Sequence, residues 1–183
     1  MNETMQSILN RRSIRAFGPK QVPDQDLKQI VEAGRYAATG MGAQPWHFTV
    51  VQNPEVISWI VKRNADTIAV SDNPKTAARG KDPSFHTFFH APTVIIVSGR
   101  EGPLTNADCA NATQNMAVAA QSLGIGSCYI VMFLRGFADH MDELAARLEL
   151  PEGFKPLFSL ALGYASGPAP TPAPRKENVT YIR

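Results

Sequence analysis

The sequence predicts a single α+β domain, for reasons of periodicity, length and composition. Helical spacing opens the chain, and short apolar runs of strand length then alternate with further helices, about four strands in all. The 183 residues suffice to bury a sizeable core in one unit, and neither an internal repeat nor a second domain is visible. A hydrophobic share of 44% beside a charged share of 19% is that of a globular chain.

Residues 3–12 read as a helix with Met5, Ile8 and Leu9 on one face. A basic loop follows over 13–18. The second helix begins near Pro23, a residue suited to a first turn. It carries Leu27, Ile30, Val31 and Gly34 on one face and should end near Ala38. Thr39-Gly40-Met41-Gly42 is a flexible loop, residues 48–52 a short strand, and Pro54 the opening of a third helix with Val56, Ile57, Ile60 and Val61 inward. Residues 71–91 are polar and rich in helix breakers, which predicts a long loop of lid type closed by Phe85, Phe88 and Phe89. A buried strand follows over 93–97.

The next helix is the clearest in the chain. Thr105 and Asp108 resemble a capping box, and Gly124 supplies a stop. Between them Ala110, Ala112, Met116, Ala117, Val118, Ala119, Ala120 and Leu123 make a helix apolar on nearly every side, hence central and buried. A strand over 127–131, an amphipathic helix carrying Phe137, Met141, Leu144, Ala145 and Leu148, and a last strand over 157–162 complete the core. Alternating prolines from Pro168 to Pro174 stiffen an extended tail, and Val179 to Ile182 have strand character.

Bulk properties exclude several classes. A formal net charge of +2 argues against nucleic acid as a partner. Two cysteines, Cys109 and Cys128, offer no disulfide framework and point to a reducing compartment. The N-terminus is polar, no apolar window approaches ~20 residues, and the expectation is a cytoplasmic protein without a membrane span. Gly124-Ile125-Gly126 lacks the third glycine of a dinucleotide fingerprint and follows a helix instead of opening one. Walker loops and Gly-x-Ser-x-Gly elbows are absent. His86 and His90 stand four apart without a third ligand, so no metal site is expected. Cys128, in an apolar strand, reads as a core residue.

Two segments carry chemistry. In Arg11-Arg12-Ser13-Ile14-Arg15, three guanidinium groups within five residues repel one another unless an anion compensates them. Guanidinium forks match phosphate oxygens, and Ser13 adds a hydroxyl donor. A solvated basic face explains the segment equally well, and nothing in it specifies the rest of a ligand. In Thr39-Gly40-Met41-Gly42-Ala43-Gln44-Pro45-Trp46, the glycines let the backbone approach a flat ligand, and the Gln44 amide offers a donor and an acceptor to the edge of a heterocycle.

Together these segments resemble the FMN-dependent nitroreductase family. The likeness continues through the Ala-rich helix, Gly124-Ile125-Gly126-Ser127-Cys128, Leu162-Gly163-Tyr164 and Pro174-Arg175, and so covers most of the chain. It implies a nitroreductase-like α+β fold, a central mixed or antiparallel sheet flanked by helices, in an interlocked homodimer whose two FMN sites are each built from both subunits. Residues 1–183 would form one FMN-binding domain, with 166–183 an arm on the partner subunit. By the same resemblance Arg11, Arg12, Ser13 and Arg15 hold the FMN phosphate and ribityl chain, and Arg175 reaches the same phosphate. Gln44 and Thr39 lie at the flavin's polar edge, and the Arg135-Gly136 turn brings a backbone N–H to flavin N5. Family members often carry Asn where this chain has Gly42, and the chain is short, with a brief lid.

The activity so implied is ping-pong transfer of electrons from NADPH or NADH, through FMN, to a small organic acceptor such as a nitroaromatic or a quinone. The flavin carries the chemistry, so no catalytic side chain is assigned. Residues 71–91 and Met41 are expected to shape the acceptor pocket. The alternatives are other flavin chemistry on the same fold (dehydrogenation, reductive dehalogenation, flavin handling) and a phosphate- or nucleotide-binding protein without redox activity.

Overall fold

The computed structural model describes all residues, Met1–Arg183. Four strands, β1 (Trp46–Val51), β2 (Thr93–Arg100), β3 (Gly126–Ile130) and β4 (Phe154–Gly163), form one sheet in the order β1-β2-β4-β3. Every neighbouring pair is antiparallel. The unbroken apolar run Val94-Ile95-Ile96-Val97 is explained by burial on both faces. Alternate side chains leave a strand on opposite sides, so Val94 and Ile96 enter one layer, Ile95 and Val97 the other.

On the first face lie α3 (Pro54–Ala69), a 3₁₀ turn (Met132–Phe137) and α6 (Met141–Arg147), contributing Ile57, Ile60, Phe133, Phe137 and Leu144. On the second lie α2 (Asp24–Arg35) and α5 (Thr105–Ser122), contributing Leu27, Ile30, Met116, Ala117 and Ala120. The helices approach closely where Gly34 of α2 faces Met116: a Cβ there would stand 2.8 Å from the Met116 Cγ. α1 (Glu3–Asn10) packs on α5 yet buries none of its residues. No helix is long and apolar enough to cross a membrane.

The α+β expectation and the antiparallel sheet hold, with five corrections. The 71–91 segment is no simple loop: it contains α4 (Pro74–Lys81), started by Asn73, whose side chain accepts from the Lys75 and Thr76 amides at 3.0 and 3.1 Å. With no buried residue of its own, α4 offers no apolar stripe to read. The capping box does not form. Leu104 is the N-cap of α5, Thr105 donates to the Arg100 carbonyl at 2.7 Å, and Asp108 accepts from the distant Gly40 amide. Phe137 belongs to the 3₁₀ turn, not to α6. α5 is not buried all round in one chain, since Asn106, Asn111, Gln114 and Asn115 are exposed. The tail beyond Gly167 is exposed and outside helix and strand, and Val179 to Ile182 pair with no strand of this chain.

Candidate functional site

The arginine segment is sewn to the β3–β4 end of the sheet. Ser13 bridges Ser127, the Ile14 amide donates to the Ser127 carbonyl at 2.9 Å, and Gly18 donates to Tyr164 at 2.8 Å. Ile14 and Phe17 are driven into the core, which leaves Arg15 on the outside. Gly126 permits the approach: a Cβ there would meet Ile14 Cγ1 at 2.9 Å. None of Arg11, Arg12 and Arg15 has a carboxylate partner; the chain's ion pairs are Arg35–Glu32, Lys62–Asp66 and Arg63–Glu143. Arg12 turns back and donates to the Leu9 and Arg11 carbonyls at 2.6 and 2.9 Å, closing the end of α1. Burial raises the Cys128 thiol pKa, and the positive charges of Arg15 and Arg11 pull it part of the way back.

Arg15 shares a cavity of about 270 Å³ with Arg79, Ser84, Phe85, His86, Phe89 and His90. The Arg15 guanidinium lies 6.0 Å from the Phe89 ring centroid, and Arg79 lies 5.3 Å from that of Phe85. The nearby carboxylate is already engaged: Asp82 accepts from the Ser84 amide and hydroxyl at 2.8 and 2.7 Å, which lowers its pKa. Two guanidinium groups, Arg15 and Arg79, therefore outweigh one carboxylate in this space. His86 Nδ1 accepts from the Phe88 and His90 amides at 3.2 and 3.1 Å, so its proton sits on Nε2.

Burial, and then the charge of His90, pulls the His86 imidazole from 6.5 down to about 4. The unfolded chain consequently takes up this proton first as pH falls. The stability contributed by neutral His86 is present above pH 6.5 and is lost between about 6.5 and 4. The unfolding midpoint of the wild type should fall more steeply over that window than that of His86→Gln, measured by thermal melts at stepped pH. Parallel curves would show that folding does not depress the His86 pKa.

Gln44 lies elsewhere. Thr93 opens β2 opposite Leu162, itself opposite Ser127, whereas Gly99 at the far end of β2 faces Trp46. At ~3.3 Å per residue, Ser13 and Gln44 stand roughly 20 Å apart along the sheet. One chain does not bring them together. Gln44 instead borders a cavity of about 320 Å³ with Met41, Arg100, Leu104, Asp108 and Phe154. The turn is strained: Met41, Gly42 and Gln44 have φ of 54°, 68° and 44°. Non-glycine residues held there cost on the order of 1 kcal/mol or more each, and Met41 is 94% exposed, so burial does not offset its strain. Thr39 precedes the turn, half-buried.

The remaining expected residues stand apart from both cavities. Gly136 is buried against α3, where a Cβ would meet the Asn64 backbone N at 2.9 Å, while Arg135 is exposed. Arg175 lies on the exposed tail without a hydrogen bond or ion pair to the rest of the chain. Arg79 and Ser84 fall in the 71–91 segment expected to shape the acceptor pocket, whereas Arg100 and Asp108 were not anticipated as site residues. The Asn-Pro pair at 73–74, a helix-start signal, could have revealed the element that carries Arg79.

A basic segment fixed beside a donor-rich cavity, on a helix-flanked antiparallel sheet, defines an α+β protein equipped for a phosphate-bearing small molecule. The chain belongs to the nitroreductase family, whose sequence profile matches residues 8–164. It is similar to a nitroreductase with bound FMN from Bacteroides fragilis (36% identity, all of both chains, TM-score 0.90). It is also similar to one with bound FMN from Desulfitobacterium hafniense (31% identity, all of both chains, TM-score 0.92). An FMN reductase (NADPH) of Bacillus subtilis is 27% identical over 90% of this chain and 66% of its own length.

Proposed function

We propose that this protein is an FMN-dependent oxidoreductase that draws electrons from NADPH or NADH and delivers them to small organic acceptors such as nitroaromatics or quinones, in ping-pong order. The observation that carries this reading is the Arg15 guanidinium, unpaired and lining one cavity with Arg79, with the unpaired Arg11 close before it in the chain. That set fits a phosphate. The FMN bound by relatives of 36% and 31% identity supports it. FMN supplies the carrier that accepts electrons from one partner and gives them to the next.

In this reading Arg11, Ser13 and Arg15 bind the phosphate and ribityl chain, and Arg12 anchors the end of α1 that presents them. Positive charge from Arg15 and Arg79 favours the extra electron density of the reduced state. Gln44 and Thr39 serve the ring edge, and the turn at Arg135-Gly136 keeps its part as a backbone donor. Protons come from solvent, so no side chain acts as acid or base.

In this reading the working unit is a homodimer, in which the Gln44 turn of one copy meets the Arg15 cavity of the other; the separation of Ser13 from Gln44 supports it. The extended arm 166–183 of the single domain wraps the neighbour and brings Arg175 to the shared phosphate. Two buried free thiols suit a reducing, cytoplasmic setting.

The test is an absorbance spectrum of the purified protein, before and after anaerobic NADPH and then NADH. Flavin bands near ~450 nm that bleach with either nucleotide are expected. Bands that persist would give FMN a different electron donor. No bands after incubation with FMN would overturn the proposal and leave a phosphate-binding protein.

A further inference from the structure

We propose that Asp108 is a positioning residue for the flavin site: from the buried side of α5 it holds the Gly40 amide and so fixes the direction in which Gln44 is presented. The inference rests on the flavin reading of Gln44 given above.

The geometry is specific. Asp108 is 4% exposed, and its Oδ1 accepts from the Gly40 amide at 3.1 Å across 68 residues of sequence. Its Oδ2 is buried with no protein partner. A carboxylate kept out of water on so few bonds is a poor device for stability, because desolvation opposes it. Its charge is felt locally: burial first, and the neighbouring Asp108 second, push the Cys109 thiol up to about 11. What the carboxylate does provide is a strong, directional acceptor for one amide.

That amide stands at the leading end of the strained turn. Asp108, Asn111 and Asn115 form one stripe on α5 at helical spacing. Asn111 donates to the Ala38 carbonyl at 3.4 Å and Asn115 to Ala33 at 3.1 Å, so the stripe grips the whole approach to the turn. At the trailing end the Arg100 amide donates to the Pro45 carbonyl at 2.9 Å. Between Gly40 and Pro45 the backbone bonds are the turn's own, Gly42 to Thr39 at 3.4 Å and Ala43 to Gly40 at 3.1 Å. Gly40 seats against the Leu104 side chain, where a Cβ would collide. The left-handed conformations of Met41 and Gln44 therefore depend on clamps at both ends, and Asp108 supplies the only charged one.

The experiment measures FMN affinity by fluorescence titration for the wild type, Asp108→Ala, Asp108→Asn, Gln44→Ala and the Asp108→Ala/Gln44→Ala double variant. Amide exchange over residues 40–44 is followed in the same proteins without FMN. Asp108→Ala should weaken FMN binding about tenfold or more. Asp108→Asn should recover most of that, since its carbonyl accepts the same N–H. The double variant should bind within about twofold of Gln44→Ala alone, because both changes remove one contact. Exchange in Asp108→Ala should quicken at 40–44 and not in the sheet.

Unchanged exchange at 40–44 in Asp108→Ala would overturn the clamp. Losses that multiply in the double variant, with no rescue by asparagine, would overturn its action through Gln44. A wild type that takes up no FMN would sink the flavin reading, and with it this role for Gln44, while the exchange data would still decide whether Asp108 holds the turn.

Discussion

Arg15→Ala is expected to weaken FMN binding by about ten- to a hundredfold and to leave the fold almost untouched. The two halves of this expectation come from different observations. Arg15 is exposed and makes no hydrogen bond within the chain, so its loss should change stability by no more than about 0.5 kcal/mol. A charged hydrogen bond to a phosphate or a flavin oxygen is worth about 1.5–3 kcal/mol, which sets the affinity range. Arg12→Ala is the informative companion. Arg12 spends its donors on the Leu9 and Arg11 carbonyls, so its removal should loosen the end of α1 and weaken FMN less than the loss of Arg15. FMN titrations at fixed salt, with a thermal melt of each variant, distinguish the two. Wild-type affinity in Arg15→Ala would move the phosphate away from this cavity.

The elements that were legible in the sequence are those whose signals are local. The run Val94 to Val97 announced a buried strand, and the spacing of Leu27, Ile30 and Gly34 announced one helix face. Asp108 was misread for the same reason that others were read well. A carboxylate four residues into a helix has a local use as a cap, but here its partner is Gly40, far away in sequence. Helix α4 escaped because no side chain on it is buried, leaving nothing periodic to detect. The basic segment and the Gln44 turn were both visible as motifs. Their placement at opposite ends of the sheet follows from strand register, which no local pattern encodes. In the homodimer proposed here, that register turns two motifs of one chain into halves of a site shared by two.

Ile8→Asp tests that sharing most directly, and is expected to convert the protein to monomers and strip it of FMN. The eight residues of α1 are fewer than the ~12–15 at which isolated helices become even marginal in water, and none of them is buried in one chain. Met5, Ile8 and Leu9, on one face, remain 43%, 44% and 50% exposed. Covering them would contribute on the order of 1 kcal/mol each, since about half of each side chain is already buried and full burial is worth ~1.5–3 kcal/mol. A second copy is the cover that the proposed composite site independently calls for. An aspartate in that face would have to be desolvated without a partner, which opposes association far more than it disturbs a fold in which Ile8 is no core residue. Light scattering should therefore report a monomer with an otherwise cooperative melt. FMN should be lost with the dimer, because the Gln44 turn can no longer reach the neighbour's Arg15 cavity. A monomeric variant that keeps wild-type FMN affinity would show that one chain suffices, and the composite site would have to be abandoned even though the arginine cavity stood.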